Sequence, residues 1–293
     1  MRLHLVDGTY ELFRAHFSPG PSRTDLQGRD VKGTVGVVAM LLSLLADAEE
    51  AVTHLAVAFD HPIESFRNRM FGDYKDSSGV DEALLAQFGP VEEAVAAAGV
   101  TVWSMDEHEA DDALATAATR WADDVEQVRI LTPDKDLGQV VRGRRIVQVD
   151  RARGRELDED GVIAKLGVSP TSVPDYLALV GDTADGIPGL PGFGAKTTAT
   201  LLRRYEHLEA IPPAAEDWDV AVRGAARLAE VLRDGREDAL LYRDLATLRL
   251  DVPLAEDLDD LAWQGVPNQR WHAWCDELGV GRLRERPHRW VDG

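Results

Sequence analysis

Carboxylates follow four short strand-like runs of this sequence, each at the carboxyl end of its run. In open α/β sheets the carboxyl ends of the strands form the edge at which ligands bind. A further acidic pair lies in the segment 181–186, outside the strand pattern. The candidates are Asp7, Asp60, Glu109, Asp111, Asp112, Asp134, Asp136, Asp182 and Asp185.

So many carboxylates repel one another when they converge, unless cations accompany them. Oxygen ligands in this number suit Mg²⁺ or Mn²⁺, and no His or Cys cluster indicates zinc. Two such ions about 3.5–4 Å apart stabilise the attacking and leaving oxygens in phosphodiester cleavage. For any single acid the alternative is a helix cap or a solvated face, because the chain has 52 acidic residues. For the whole set we predict a two-metal carboxylate site.

The helix predicted over 109–124 positions the middle cluster. Its apolar residues recur at i, i+3 and i+4 and form one buried stripe. On a helical wheel Asp111 lies at the edge of this stripe and Asp112 on the far side. We expect Glu109 in the turn before the helix and Asp111 in its first turn, where negative charge is favourable.

Strands and helices alternate through the first half of the chain, which predicts a mostly parallel α/β sheet covered by helices on both faces. Beyond about residue 158 the pattern is helical, and we place a boundary near 155. The predicted strands are 3–6, 55–59, 101–105, 128–131 and 145–149. The predicted helices are 33–50, 81–98 with a break near Gly89-Pro90, 109–124, 159–166, 173–180, 195–205, 220–233 and 237–245.

A glycine-rich turn, 189–198, leads into the predicted helix 195–205. Such turns expose backbone N–H groups to phosphate. The spacing of Gly194 and Lys196 does not match a Walker A loop, and no strand precedes the turn as a dinucleotide fingerprint requires. The context favours a helix-hairpin-helix that binds a nucleic-acid backbone. The alternative is an ordinary turn between two helices.

Composition limits the class of protein. A net charge of −20 argues against a simple basic nucleic-acid surface, although phosphate binding requires only local positive charge. The single cysteine excludes an intrachain disulfide and a thiolate zinc site. The charged amino terminus shows no signal peptide, and the longest apolar run, about 34–46, is too short to span a bilayer. We expect a soluble cytoplasmic protein without a membrane anchor.

Several motifs together resemble the bacterial and phage 5′ nuclease (flap endonuclease) family, which includes the 5′ nuclease domains of Pol I-type DNA polymerases. The resemblance runs in order from residue 3 to about 285. The matching segments are Leu5–Gly8 with Arg14, Phe59–Asp60 with Ser65–Arg67, Tyr74–Lys75, Glu109–Asp112, Leu131–Leu137, Gly181–Pro188, Gly192–Thr197 and Leu278–Leu283.

This resemblance implies a PIN-like α/β nuclease core, 1–155, followed by a helical DNA-binding region, 156–293, with a helix-hairpin-helix at about 173–205 and a carboxyl-terminal segment that returns to the core. It implies Mg²⁺- or Mn²⁺-dependent hydrolysis of 5′ flaps and RNA primers in replication and repair, by a protein expected to be monomeric. One ion would be held by Asp7, Asp60, Glu109 and Asp111, with Asp112 beside them, and a second, less tightly, by Asp134, Asp136, Asp182 and Asp185.

The resemblance also implies DNA contacts. Arg14 and Lys75 would address the scissile phosphate and the 5′ strand as catalytic residues, and Tyr74 could stack on an unpaired base. The alternative for Tyr74 is an ordinary half-buried ring. The hairpin would grip the duplex, and its carbonyls bind K⁺ in relatives. The implied DNA-binding residues are Arg14, Arg67, Tyr74, Lys75, Gly192, Gly194, Lys196 and Thr197.

One departure from the family concerns the segment 72–98, where relatives carry a basic helical arch. Between residues 73 and 93 six acids stand against the single Lys75. We therefore expect weak flap engagement and strong salt sensitivity. Because the sequence ends at residue 293, a nuclease without an attached polymerase is expected.

Two other classes remain as alternatives. A DNA-structure-binding protein of the same fold could bind flaps and cleave poorly, but it has no use for nine repelling carboxylates. A PIN-type ribonuclease has no use for a helix-hairpin-helix that grips a duplex. We therefore favour the enzyme.

Overall fold

The computed structural model describes residues 1–61 and 63–292. Its strands are β1 (Arg2–Asp7), β2 (His54–Asp60), β3 (Thr101–Met105), β4 (Gln127–Leu131), β5 (Ile146–Asp150), β6 (Arg155–Leu157), β7 (Val266–Pro267) and β8 (Trp290–Val291). Its helices are α1 (Gly8–His16), α2 (Lys32–Ala46), α3 (Phe66–Met70), α4 (Glu82–Leu85), α5 (Phe88–Ala97), α6 (Ala110–Trp121), α7 (Glu159–Leu166), α8 (Val173–Val180), α9 (Ala195–Tyr205), α10 (Ala225–Asp234), α11 (Arg236–Ala246), α12 (Asn268–Leu278) and α13 (Gly281–Arg284).

The chain forms two compact units. Unit 1 contains Met1–Ile63, Ser77–Thr132 and Leu250–Gly293, and unit 2 contains Glu64–Asp76 and Pro133–Arg249. A single cut near residue 155 does not describe these units, because each is assembled from separate stretches of the chain. The division into a nuclease domain and a DNA-binding domain at that residue stays a prediction.

Unit 1 is built on four parallel strands in the order β3-β2-β1-β4. All seven residues of β2 are buried, as expected of a parallel strand covered on both faces. Register pairs Asp7 at the end of β1 with Ala58, two residues before the end of β2, so both strands deliver their acids to one edge. The predicted mostly parallel α/β fold is confirmed.

Unit 2 contains the antiparallel pair β5–β6 and helices α7–α11, with α3 from the separate stretch Glu64–Asp76. Helices α8 and α11 pack closely, and α8 also packs on α9. An apolar core that includes Leu177, Leu201 and Leu232 fills the unit. The predicted helices from α7 to α9 are confirmed with their bounds.

Four predicted helix bounds were wrong. The helix predicted over 109–124 ends at Trp121, and the other three differ for local reasons. The helix predicted over 81–98 breaks at 86–87, earlier than the Gly-Pro pair, because proline fits the first turn of α5. Helix α2 ends at Ala46. The next residue, Asp47, adopts an extended backbone conformation, and its carboxylate accepts the N–H of Glu49 (3.0 Å). Helix α10 begins only after Gly224, which is left-handed.

The segment predicted as an acidic arch contributes to the core of unit 1. Val91, Ala94 and Val95 of α5 are buried, and α5 packs on α2 and β3. Among its acids, Glu92 pairs with His61 (2.9 Å). The expected weak flap engagement stays a prediction, but this part of 72–98 is a packed helix. No helix within the described residues is long and apolar enough to cross a bilayer.

Candidate metal centre and nucleic-acid hairpin

Asp7 ends β1 and caps helix α1. Its Oδ1 accepts the backbone N–H of Tyr10 (2.8 Å), so that the carboxylate satisfies a donor at the amino end of the helix. Its Oδ2 accepts the hydroxyl of Thr132 (2.8 Å), which directly follows β4. The side chain is therefore fixed by one donor from helix α1 and one from the residue that follows β4.

Asp60 has the same kind of support at the end of β2. Its Oδ1 accepts the N–H of Ala110 (2.7 Å), the first residue of α6, and its own N–H donates to the hydroxyl of Thr9 (2.8 Å). These bonds place Asp60 beside the start of α6 and beside the first turn of α1. Both acids are buried.

The cluster 109–112 is a capping box. Glu109 is the N-cap of α6, its carboxylate accepts the N–H of Asp112, and the Asp112 carboxylate accepts the N–H of Glu109 (3.0 Å). Asp111 lies in the first turn and is partly exposed, as expected. The expectation for Asp112 was wrong: it is fully buried, because the face of α6 that carries it is also covered by the protein, and Thr116 on the same face is buried and accepts the N–H of Val252 (3.2 Å).

In unit 2 three carboxylates converge. One oxygen from each of Asp136, Asp182 and Asp185 lies within 4.8 Å of the other two, and all three residues are buried. The Oδ1 of Asp136 is buried without a hydrogen-bond partner. Burial raises the pKa of Asp136 well above its usual range, and the neighbouring carboxylates add to this rise. An orphaned oxygen in a group of three hard donors fits a divalent cation.

Asp134 lies beside this group. Its carboxylate accepts the N–H of Asp136 (2.9 Å), and its carbonyl accepts the side-chain amide of Gln148 on β5. Of the described residues, the set that meets the 4.8 Å limit contains neither Asp134 nor the acids of unit 1. The assignment of all nine acids to two ions therefore stays a prediction.

Two lysines accompany the acids of unit 2. The Nζ of Lys75 lies 3.0 Å from Asp185, and the Nζ of Lys135 lies 2.5 Å from Asp182. Burial disfavours the charge of Lys135, but the hydrogen bond to Asp182 and the surrounding carboxylates outweigh it and raise the pKa of Lys135. Lys135 was not among the residues predicted from the sequence, although its place between two candidate acids was a usable signal.

Backbone geometry explains how Lys75 reaches Asp185. The N–H of Lys75 donates to the carbonyl of Asp185 (3.0 Å), so the two segments run side by side. Gly186 is left-handed (φ 75°), and a Cβ on it would overlap the carbonyl oxygen of Asp73. Only glycine permits this close approach.

The glycine-rich turn has the form predicted for a hairpin between two packed helices. Gly192 is left-handed (φ 91°), and Gly194 is the N-cap of α9. Both glycines and Lys196 are exposed, and Thr197 is partly exposed. Their groups are accessible to a phosphate backbone, and their DNA-binding role stays a prediction.

Two residues predicted to contact DNA are buried instead. Arg67 is 1% exposed and donates to the carbonyls of Leu245 (2.7 Å) and Thr247 (3.1 Å) at the end of α11. Tyr74 is 4% exposed and packs in the core of unit 2. Arg67 therefore secures a helix end, and Tyr74 could meet a base only after it left the core. Arg14 is partly exposed and pairs with Glu11.

Models of two protein families match consecutive parts of the chain. The model for "5′-3′ exonuclease, N-terminal resolvase-like domain" matches residues 2–167, and that for "5′-3′ exonuclease, C-terminal SAM fold" matches residues 168–269. The chain belongs to the 5′-3′ exonuclease family. The predicted membership of this family is confirmed.

Curated relatives of this 5′-3′ exonuclease chain are longer proteins. DNA polymerase I of Bacillus caldotenax is 32% identical over 289 residues, covering 97% of this chain and 32% of that protein. DNA polymerase I of Pseudomonas aeruginosa is 37% identical over 295 residues, covering 94% and 31%. The chain thus spans about a third of the length of these relatives.

Solved structures share the fold of the 5′-3′ exonuclease chain. T5 5′-exonuclease with bound zinc ions superposes with a TM-score of 0.66 at 17% identity, covering 96% of this chain and 99% of that one. The catalytic core of Rad2 in complex with a DNA substrate gives 0.60 at 13% identity, covering 95% and 87%. At these identities the likeness concerns the fold alone.

Proposed function

We propose that this chain is a divalent-metal-dependent 5′-3′ exonuclease and flap endonuclease that hydrolyses DNA phosphodiester bonds at 5′ flaps and RNA–DNA primers. The observation that carries the proposal is the buried group Asp136, Asp182 and Asp185 with its orphaned oxygen. A protein that only binds DNA structures gains nothing from this repulsion. Family membership and the nucleic-acid complexes among its structural neighbours support DNA as the substrate.

The residues that would hold metal form two groups, one in each unit. Asp7, Asp60, Glu109 and Asp111 would hold one Mg²⁺ or Mn²⁺, with Asp112 beside them, and Asp134, Asp136, Asp182 and Asp185 a second. When bound, these ions supply Lewis-acid activation for phosphodiester hydrolysis.

Two basic residues and the hairpin would hold the DNA. Arg14 and Lys75 would orient the scissile phosphate, since both carry partly exposed cationic groups beside acidic partners. The exposed backbone and Lys196 of the hairpin would contact the duplex backbone. Binding of K⁺ by the hairpin carbonyls, a monomeric state and a cytoplasmic location are proposed on the family resemblance.

The test is cleavage of a fluorescently labelled 5′-flap duplex by the wild-type protein and by Asp182→Asn. We expect cleavage with Mg²⁺ or Mn²⁺, none in EDTA, and a loss on the order of a hundredfold or more in the variant. Absence of cleavage by the wild type with every metal would refute the enzyme. Equal cleavage by the variant would mean that the activity does not come from this site.

A further inference from the structure

Lys135 is placed where a metal ion would compete with it. Its Nζ lies 2.5 Å from Oδ2 of Asp182, and its side chain is one-third exposed. Asp182 belongs to the group of three carboxylates that lie within 4.8 Å of one another. Lys75 contacts a second member, Asp185, at 3.0 Å. The third member, Asp136, keeps an oxygen without a partner.

The charges of this group explain why two lysines are present. Three buried carboxylates repel one another strongly, and burial makes each unpaired charge costly. An ammonium group carried by the chain needs no binding event, so it neutralises part of the charge as soon as the protein folds. The neutralisation is incomplete, because two ammonium groups face three carboxylates and Asp134 lies beside them.

We propose that Lys135 is a tethered counter-ion of the second metal site. It holds Asp182 in place in the metal-free protein, and a divalent ion that takes Asp182 as a ligand must displace or share it. Lys135 therefore lowers the affinity of the site for metal while it stabilises the metal-free fold. It is a positioning residue, and this role rests on the proposed metal site in unit 2.

The direction of the effect separates this role from a merely structural one. Loss of a structural contact would loosen the ligands and weaken metal binding. Loss of a competing cation would strengthen it, by roughly tenfold for one unit charge near a divalent ion in a partly buried site.

The experiment measures Mn²⁺ binding to the DNA-free protein by electron paramagnetic resonance. Lys135→Met removes the charge at similar length, and Lys135→Arg keeps it. Lys32→Met is the matched control, because the Nζ of Lys32 donates to the carbonyl of Ser18 (2.6 Å) and not to a carboxylate. We expect K135M to bind Mn²⁺ roughly tenfold more tightly, and K135R and K32M to stay within threefold of wild type.

Thermal unfolding supplies a second readout. In EDTA, K135M should unfold at a lower temperature than wild type, and saturating Mn²⁺ should close the difference. Should K135M fail to fold without metal, the double variant K135M/D182N removes both charges and should recover wild-type folding. A double variant that also fails to fold would overturn the proposal.

The outcomes separate failure of the metal site from failure of the role of Lys135. Wild-type protein that binds no Mn²⁺ would overturn the metal site of the proposed function together with the role of Lys135. Wild-type binding with unchanged or weaker binding by K135M would overturn the role of Lys135 alone.

Discussion

The two units accommodate their acidic residues in different ways. In unit 1 Asp7, Asp60 and Glu109 accept backbone N–H groups at the amino ends of helices or beside them. In unit 2 Asp182 and Asp185 contact lysine ammonium groups within a crowded group of carboxylates. Helix ends supply donors that stabilise single negative charges, whereas a crowded group needs cations. The same residue type is therefore held by helix-end donors in unit 1 and by lysine ammonium groups in unit 2.

The largest expected effect concerns activity in unit 1. Asp60→Asn keeps an oxygen that can accept the N–H of Ala110, so the fold should lose less than about 1 kcal/mol. Cleavage of a 5′-flap duplex should fall on the order of 10³-fold, because the charge that would hold the ion is lost. Initial rates and urea unfolding measure both quantities. A rate within tenfold of wild type would mean that Asp60 serves the helix and not the metal.

The difference between the acids of the two units can be tested by the free energy of unfolding of the metal-free protein. Asp136→Asn should raise the free energy of unfolding by about 1–3 kcal/mol, because it removes one of several like charges a few ångströms apart. Asp7→Asn is the control and should leave the free energy of unfolding nearly unchanged, since asparagine caps helices as well as aspartate does. Urea unfolding in EDTA at pH 8 gives both values. Equal changes in the two variants would contradict the difference between the units.

A smaller effect is expected at the hairpin of unit 2. Lys196→Ala should raise the KM for a duplex substrate about fivefold at unchanged kcat, and it should reduce the slope of log KM against log salt by about 1. Mn²⁺ binding should be unaffected. Lys165→Ala, a substitution in the same unit, should change neither the KM nor its salt dependence. An unchanged KM for the first variant would remove Lys196 from the DNA interface.

The smallest effect concerns acid stability in unit 1, away from the metal ligands. The hydrogen bond from His4 and the charge of Arg129 lower the pKa of Glu50 from its ordinary value of 4.5 to about 2. Because the folded protein holds the ionised form, this stabilisation is present above pH 4.5 and is lost as the pH falls towards 2.

Glu50→Gln should therefore be less stable than wild type at pH 6 by less than about 1 kcal/mol, and the difference should shrink as the pH falls from 4.5 towards 2. Unfolding midpoints in urea across this range test the sign. A difference that grows as the pH falls would contradict it.

The sequence determined the four parallel strands of unit 1, their acidic ends and the hairpin before α9. These features depend on local patterns: apolar runs of strand length, carboxylates directly after them, and glycines that permit the left-handed turn at Gly192. The family followed from the order of such local motifs along the whole chain.

Tertiary structure alone decided which polar side chains are available for function. Arg67 is buried because its guanidinium meets carbonyls 178 and 180 residues away, which no local pattern indicates. Asp112 is buried because the second face of α6 is also covered, with Thr116 on that face bonded to Val252 from a distant segment, whereas the helical wheel gives only the direction of a side chain from the axis. Lys135 stands beside two acids in the sequence, but its partner Asp182 comes from a distant segment. Burial and ion pairing arise from segments that meet only in the folded chain, so sequence spacing could locate these residues but could not assign their partners.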